Sequence, residues 1–277
     1  MINFESFTPE VTYKHIALLD NCSISFLQEL ERKGIDTKQL FVIYDCVVIP
    51  TWIKNEFVNS TMTDHYLQLL LDYGIPLKES TETSFSDLIP SIKSERLILD
   101  LFIASSSLFS QIKTYLYRNI KKEDLLDLED SHIWIKELYD NWPMTNGDHK
   151  KNAGEVSITV LANILSIFYP NLQTITIFTH DKDTYDANHE ATEVIHHTNK
   201  ELVQETPIAF KTNDFLLKQL YNKGLIDKSK IESIRDAERT VIYNVIQADG
   251  SIVSLEKKIS KEEFSNLLDN PDFAIVF

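Results

Sequence analysis

The chain has 277 residues, of which 43% are hydrophobic, enough to bury the core of one large domain with or without an appendage. Its 27 basic and 42 acidic residues give a net charge of −15, so the overall field does not attract nucleic acid. Any contact with nucleic acid must therefore be local. With only 6 glycines, the sequence has no glycine-rich phosphate loop and no dinucleotide-binding fingerprint.

Two cysteines are too few for a disulfide framework, which favours a reducing compartment. The first residues lack a basic region followed by an apolar stretch, and no apolar run approaches the ~18 residues of a membrane helix. We therefore expect a cytoplasmic protein with no membrane partner.

The first part of the chain alternates between strand and helix patterns, which predicts an α/β domain with a mostly parallel sheet. In chain order, the predicted elements are a strand over 14–20, a helix over 23–33, a strand over 41–49 broken near Asp45, a helix after Pro50, a helix over 64–73 and a strand over 75–77.

The segment from about 84 to 143 is poor in strand patterns, and its apolar residues recur at helical spacing. We interpret it as a helical insertion. The polar residues that follow, 144–151, predict a loop.

The alternation then resumes, and residues 1–225 together are assigned to the α/β domain. The elements predicted here are a helix over 152–168, a strand over 174–179, a helix over 184–193, a strand over 207–212 and a helix over 214–221.

Residues 226–277 predict a small α+β appendage of ββαβ type. A helix is expected over 228–239, then strands over 240–247 and 251–259 around a turn at 248–250. Ser260 is placed to cap a helix to Leu268, with Glu263 at the capping-box position, and a last strand is expected over 273–277.

Acidic residues stand at the boundaries of these elements. Asp20 ends the first strand, Glu56 lies six residues after Pro50, Glu155 opens the helix over 152–168, and Asp181 and Asp183 follow the strand over 174–179. Because ligands of open α/β sheets bind beyond the carboxyl ends of the strands, these carboxylates can meet at one edge and hold divalent cations.

Each position also has a simpler interpretation. Asp20 can serve as a helix N-cap, and Glu56 can be a solvated residue in the first turns of a helix. Glu155 can complete a capping box with Asn152, although Gly154 is then unusual inside a helix unless another group approaches its backbone. Asp181 and Asp183 can serve as turn and capping residues.

The order and context of these residues resemble the PIN-domain nuclease family. The matching segments are 17–23 (ALLDNCS), 48–56 (VIPTWIKNE), 152–155 (NAGE) and 178–183 (FTHDKD), and the resemblance covers roughly 12–60 and 150–220. The chain departs from the family at Cys22, where a hydroxyl or amide side chain is usual, and in the length of the insertion.

The resemblance implies a PIN-like three-layer sandwich and a metal-dependent endonuclease that cuts phosphodiester bonds, in RNA rather than DNA. It further implies that Asp20, Glu155, Asp181 and Asp183 hold Mg²⁺ or Mn²⁺ and that Glu56 completes the catalytic set. Many such single-domain proteins are toxins or defence effectors, so a protein partner, an inhibitor or an oligomer would be in keeping with the family.

Local positive charge would be needed to hold the substrate. Lys54, Lys151 and Lys182 lie next to the motifs and are candidate phosphate contacts, although scattered lysines are more often solvated surface. Two alternatives stay open. One is a catalytically silent PIN-like module that scaffolds a complex, which Cys22 and the net charge favour. The other, an aspartate-nucleophile phosphatase, is disfavoured because Cys22 stands where its second aspartate is needed.

Overall fold

The computed structural model describes residues 4–57, 60–91, 94–120, 130–143, 150–198, 200–235, 238–247 and 250–277. Within these residues, six strands form an all-parallel sheet. They are β1 (Glu5–Ser6), β2 (His15–Leu19), β3 (Cys46–Pro50), β4 (Leu77–Ser80), β5 (Thr174–Phe178) and β6 (Ile208–Lys211). Their order is β1-β4-β3-β2-β5-β6, so β2 lies inside the sheet, with its carboxyl end between those of β3 and β5.

The central strands are buried on both faces, as their unbroken apolar runs predict. The expectation of a strand over 41–49 is wrong in its first half, because residues 41–43 form a turn and β3 begins at Cys46. Asp45 lies at this break. Its carboxylate accepts the backbone N–H groups of Lys14 (2.7 Å) and His15 (2.9 Å) and so holds the start of β2.

Helices cover the sheet, and their packing is compatible with a three-layer sandwich: α1 contacts α3, whereas α4, α7 and α8 contact one another. The helices are α1 (Asn21–Arg32), α2 (Thr51–Glu56), α3 (Thr61–Asp72), α4 (Ser94–Ser105), α5 (Ser110–Tyr115), α6 (Ser131–Asp140), α7 (Ala153–Phe168), α8 (Lys182–Thr198), α9 (Asn213–Asn222), α10 (Lys228–Ile234) and α11 (Lys261–Leu267).

The predicted insertion is helical and strand-free wherever the structure describes it. Besides α4, α5 and α6 it contains a 3-10 segment (Glu82–Leu88) and a π-helical turn (Leu116–Ile120). Its aromatic side chains pack on α2, where Trp52 stacks on Tyr139 at 4.8 Å and meets Trp142 edge-on at 5.2 Å. The insertion therefore braces the short helix that carries Glu56. The loop expected over 144–151 falls largely on 144–149, outside the described residues.

The C-terminal segment forms an antiparallel sheet of β7 (Arg239–Ile246), β8 (Ile252–Ile259) and β9 (Ala274–Ile275), in the order β8-β7-β9. The ββαβ expectation is confirmed, and the Ser260 hydroxyl accepts the Glu263 backbone N–H at 3.1 Å as the capping pattern predicts. The helix over 228–239 is wrong at its end, because Arg239 already belongs to β7. The predicted turn includes 248–249, which lie outside the described residues, and the division of the chain at residue 225 stays a prediction.

A buried ion pair joins this segment to α9. The Nε of Arg235 donates to both carboxylate oxygens of Asp214 at 3.0 Å, and its Nη1 donates to the Ile259 carbonyl at 2.9 Å. Among the residues described, none belongs to a helix long and apolar enough to cross a bilayer.

Candidate active site

Asp20 lies at the carboxyl end of β2 and forms the N-cap of α1. Its side chain accepts three donors: the Asn21 backbone N–H at 2.7 Å, the Cys22 thiol at 2.8 Å and the Thr179 hydroxyl at 2.8 Å. Burial raises the pKa of Asp20, and the charge of Asp181 raises it further, while the three donors act against this. The capping interpretation of Asp20 is thus confirmed, and the same carboxylate still interacts electrostatically with another acid.

Glu56, the last residue of α2, turns its carboxylate towards Asp20 and α7. It accepts the Asn21 side-chain amide at 3.1 Å and the backbone N–H of Gly154. Burial raises the pKa of Glu56 to about 7, with a contribution from the charge of Asp20. A Cβ at Gly154 would lie 2.7 Å from Glu56 Oε1, so a glycine here allows the carboxylate to approach the helix backbone.

Glu155 lies in the first turn of α7, where burial raises its pKa to about 8 and the charges of Asp20, Glu56 and Asp181 add to the effect. The capping-box expectation is wrong. Asn152 adopts a left-handed conformation (φ 61°) and makes no capping hydrogen bond with its side chain. An asparagine tolerates this backbone conformation better than most residues do.

Asp181 is partly buried after β5, and its Oδ1 accepts the Asp183 backbone N–H at 2.9 Å. Its own N–H donates to the Thr179 hydroxyl at 3.0 Å, which links it to Asp20. Asp183 is exposed in the first turn of α8. The structure therefore places Asp20, Glu56, Glu155 and Asp181 within electrostatic reach of one another and leaves Asp183 exposed.

The three candidate lysines lie in different surroundings. Lys54 is 9% exposed and forms an ion pair with Glu79 at 2.5 Å, so its charge is already engaged inside the protein. Lys182 is exposed and pairs with Asp186 at 3.0 Å. Lys151 lies, with Asp183, in a groove of about 550 Å³ whose other wall is the chain around Phe109 in the insertion.

One residue that supports the site was missed from sequence. Glu82 is 1% exposed, and its Oε1 accepts the Trp52 backbone N–H at 2.8 Å and the Ser157 hydroxyl at 2.6 Å. It thereby connects the first turn of α2 to α7, the helices that carry Glu56 and Glu155, and burial raises its pKa to about 8. The signal was available, because Glu82 follows β4 just as Asp20 follows β2.

The donor atoms of the site are carboxylate oxygens, which suit hard cations such as Mg²⁺ and Mn²⁺. In the described part of the chain, no three or more His, Cys, Asp or Glu side chains form a group that could hold a metal ion as they stand. The charges of Asp20, Glu56, Glu155 and Asp181 oppose one another's ionisation, and a bound cation would relieve that repulsion.

Comparison of the chain with family models, curated proteins and solved structures gave no match. The fold and the site together define an α/β protein whose all-parallel sheet carries coupled, largely buried carboxylates at its carboxyl edge.

Proposed function

We propose that this protein is a metal-dependent PIN-like endonuclease that hydrolyses phosphodiester bonds, with RNA as its substrate. The observation that supports it most is the convergence of Asp20, Glu56, Glu155 and Asp181 from separate parts of the chain, with burial and mutual charge raising the pKa of the first three. Perturbed titration in a coupled cluster is typical of functional sites.

A purely structural role explains this cluster poorly. Burying like charges together costs free energy, and apolar side chains of similar size would stabilise the same positions better. Asp20, Glu155 and Asp181 would hold Mg²⁺ or Mn²⁺, with Asp183 at the edge of the site. A cation bound there would lower the pKa of a coordinated water and stabilise charge on the leaving oxygen.

The chain's own groups have defined tasks in this proposal. Thr179 and Cys22 hold Asp20 in one orientation through their hydrogen bonds to Oδ2. Glu56 is held by Asn21 and Gly154, and its pKa of about 7 suits a group that accepts a proton from water near neutral pH. The groove beside Lys151 offers room for the strand on one side of the cleaved bond.

The test is Mn²⁺-dependent cleavage of a single-stranded RNA, followed with and without EDTA. Asp20→Asn should abolish cleavage while leaving the circular dichroism spectrum unchanged. The matched control is Asp72→Asn, an exposed aspartate at the end of α3, which should cleave like the wild type. Wild-type protein that neither cleaves nucleic acid nor binds Mn²⁺ by calorimetry would contradict the proposal.

One observation favours the silent, scaffolding alternative: protein donors already engage both oxygens of Asp20, and one donor is the thiol of Cys22. Under that alternative, Mn²⁺ raises the melting temperature of neither the wild type nor Asp20→Asn, and neither protein cleaves RNA. Measuring the melting temperature with and without about 1 mM Mn²⁺ therefore separates the two functions before any substrate is chosen.

A further inference from the structure

A second concave feature lies at the same edge of the sheet, where β5 and β6 end. It is a pocket of about 320 Å³ between the loop after β5, the start of α9 and strand β7. Its wall includes His180, Lys182, Asn213, Asp214, Arg239 and Phe277. Because His180 directly precedes Asp181, the pocket adjoins the acidic cluster, and it is partly built by the C-terminal segment that the family resemblance does not cover.

The side-chain oxygen of Asn213 receives no hydrogen bond. The residue is 4% exposed, lines the pocket and begins α9, yet its Oδ1 has no hydrogen-bond partner. An unsatisfied buried polar atom costs about 1–3 kcal/mol, so a ligand that donates a hydrogen bond to this oxygen would recover that free energy. The backbone is already capped, because the Thr212 hydroxyl accepts the Phe215 N–H at 3.2 Å.

The pocket also carries local positive charge on an acidic protein. Nη1 of Arg239 makes no hydrogen bond and lies 3.8 Å from Asp214 Oδ1. Asp214 does not cancel this charge, because its carboxylate is already paired with Arg235, whose Nε shares a bifurcated hydrogen bond between its two oxygens. Lys182 adds charge at the rim, although it is shared with Asp186 at 3.0 Å and Glu256 at 3.9 Å.

We propose that this pocket holds the ribonucleotide next to the cleaved bond, with its phosphate on Arg239 and its ribose 2′-hydroxyl donating to Asn213 Oδ1. The inference rests on the proposed function, since it names the substrate class of the same site. A phosphate diester offers no donor to Asn213, whereas a 2′-hydroxyl does, and DNA lacks that group. The positive end of α9 adds to the attraction of the phosphate.

Binding measurements test this proposal without any cleavage. The full-length chain in EDTA is titrated into a fluorescently labelled twelve-nucleotide uridine RNA and into the 2′-deoxy strand of matching sequence, followed by anisotropy. Asn213→Ala should weaken RNA binding about fivefold and leave the deoxy strand unaffected, since one hydrogen bond is lost. Arg239→Gln should weaken both strands about tenfold, and Arg239→Lys should recover part of that loss.

Lys258→Gln is the matched control, because it removes one positive charge from the exposed hairpin outside the pocket. It should bind both strands like the wild type. Thermal unfolding of each variant separates loss of the pocket from loss of the fold.

The outcomes are distinct. An RNA-to-DNA affinity ratio that Asn213→Ala leaves unchanged overturns the subsite, as does wild-type protein that binds neither strand. If the variants behave as expected while Mn²⁺ supports no cleavage, the subsite stands and the nuclease proposal fails. If Mn²⁺-dependent cleavage occurs and Asn213→Ala keeps the affinity ratio, the nuclease stands and the subsite fails.

Discussion

Gly154→Ala should separate stability from function, because the closest contact of the added methyl group is with a side chain of the candidate site. The new Cβ would lie 2.7 Å from Glu56 Oε1, the free end of a side chain, and 3.0 Å from Ile53 Cγ1. The carboxylate is the easier of the two to displace. Glu56 would then lose its contacts with the Asn21 amide and the Gly154 backbone.

The energetic terms nearly balance. Alanine is favoured over glycine inside a helix by about 1 kcal/mol, whereas the lost hydrogen bonds and the tight contact cost about 1–2 kcal/mol. The free energy of unfolding should therefore stay within about 1 kcal/mol of wild type, a shift of about 4 °C or less in melting temperature. Because Glu56 is the proposed proton acceptor and not a metal ligand, its displacement should slow cleavage at least about tenfold, or about 1.4 kcal/mol in activation free energy, and should lower Mn²⁺ affinity less, through the loss of a nearby negative charge.

Calorimetry of Mn²⁺ binding and thermal unfolding are measured on the same protein samples. Glu56→Gln is the control, since it keeps the shape of the side chain and removes its charge, and Gly154→Ala should add nothing to the loss in that background. A Gly154→Ala protein that binds Mn²⁺ and cleaves RNA like wild type refutes the reasoning about the carboxylate. A loss of stability above about 4 kcal/mol shows instead that Ile53 and its buried neighbours cannot move to accommodate the methyl group.

Three further predictions concern the buried polar groups. The pKa of Glu82 is about 8 in the folded protein against an ordinary 4.5, so the folded state holds a proton that the unfolded state loses between these values. Glu82 should thus contribute a fall of about 3 kcal/mol in the free energy of unfolding by urea from about pH 5.5 to 8.5. Glu56 and Glu155 add falls of their own in the same range, so the measurement is the difference: the wild type should lose about 3 kcal/mol more than Glu82→Gln, and equal losses would contradict the prediction. Cys22→Ser should keep the cleavage rate within about threefold of wild type, because a hydroxyl donates to Asp20 at least as well as a thiol does. Cys22→Ala removes the donor and should slow cleavage more. Equal rates for the two variants would contradict this prediction. Asp214→Asn should lower the free energy of unfolding by about 3 kcal/mol by leaving the Arg235 charge uncompensated, and a neutral result would show that the pair does not hold the C-terminal segment in place.

Local sequence patterns were sufficient for elements that are specified by their own residues and near neighbours. The apolar run before Asp20 specified β2 because a strand buried on both faces needs uninterrupted hydrophobic residues. Ser260 and Glu263 specified the start of α11 because capping depends on neighbouring residues alone. The strand expected from residue 41 failed, because residues 41–43 form a turn despite their apolar pattern, whereas the break near Asp45 was predicted correctly. The sequence pattern did not show that the Asp45 carboxylate holds the start of β2 from 30 residues away.

The sequence by itself determined which carboxylates follow strands and in what order, and so which residues were candidates for one edge of a parallel sheet. Only the tertiary structure decided which of them interact. It placed Glu56 against Gly154, replaced the expected Asn152 cap with a left-handed residue, and left Asp183 exposed. The physical reason is that burial and charge coupling are properties of packed neighbours: the pKa of Glu155 reflects Asp20, Glu56 and Asp181, which lie in three other segments of the chain.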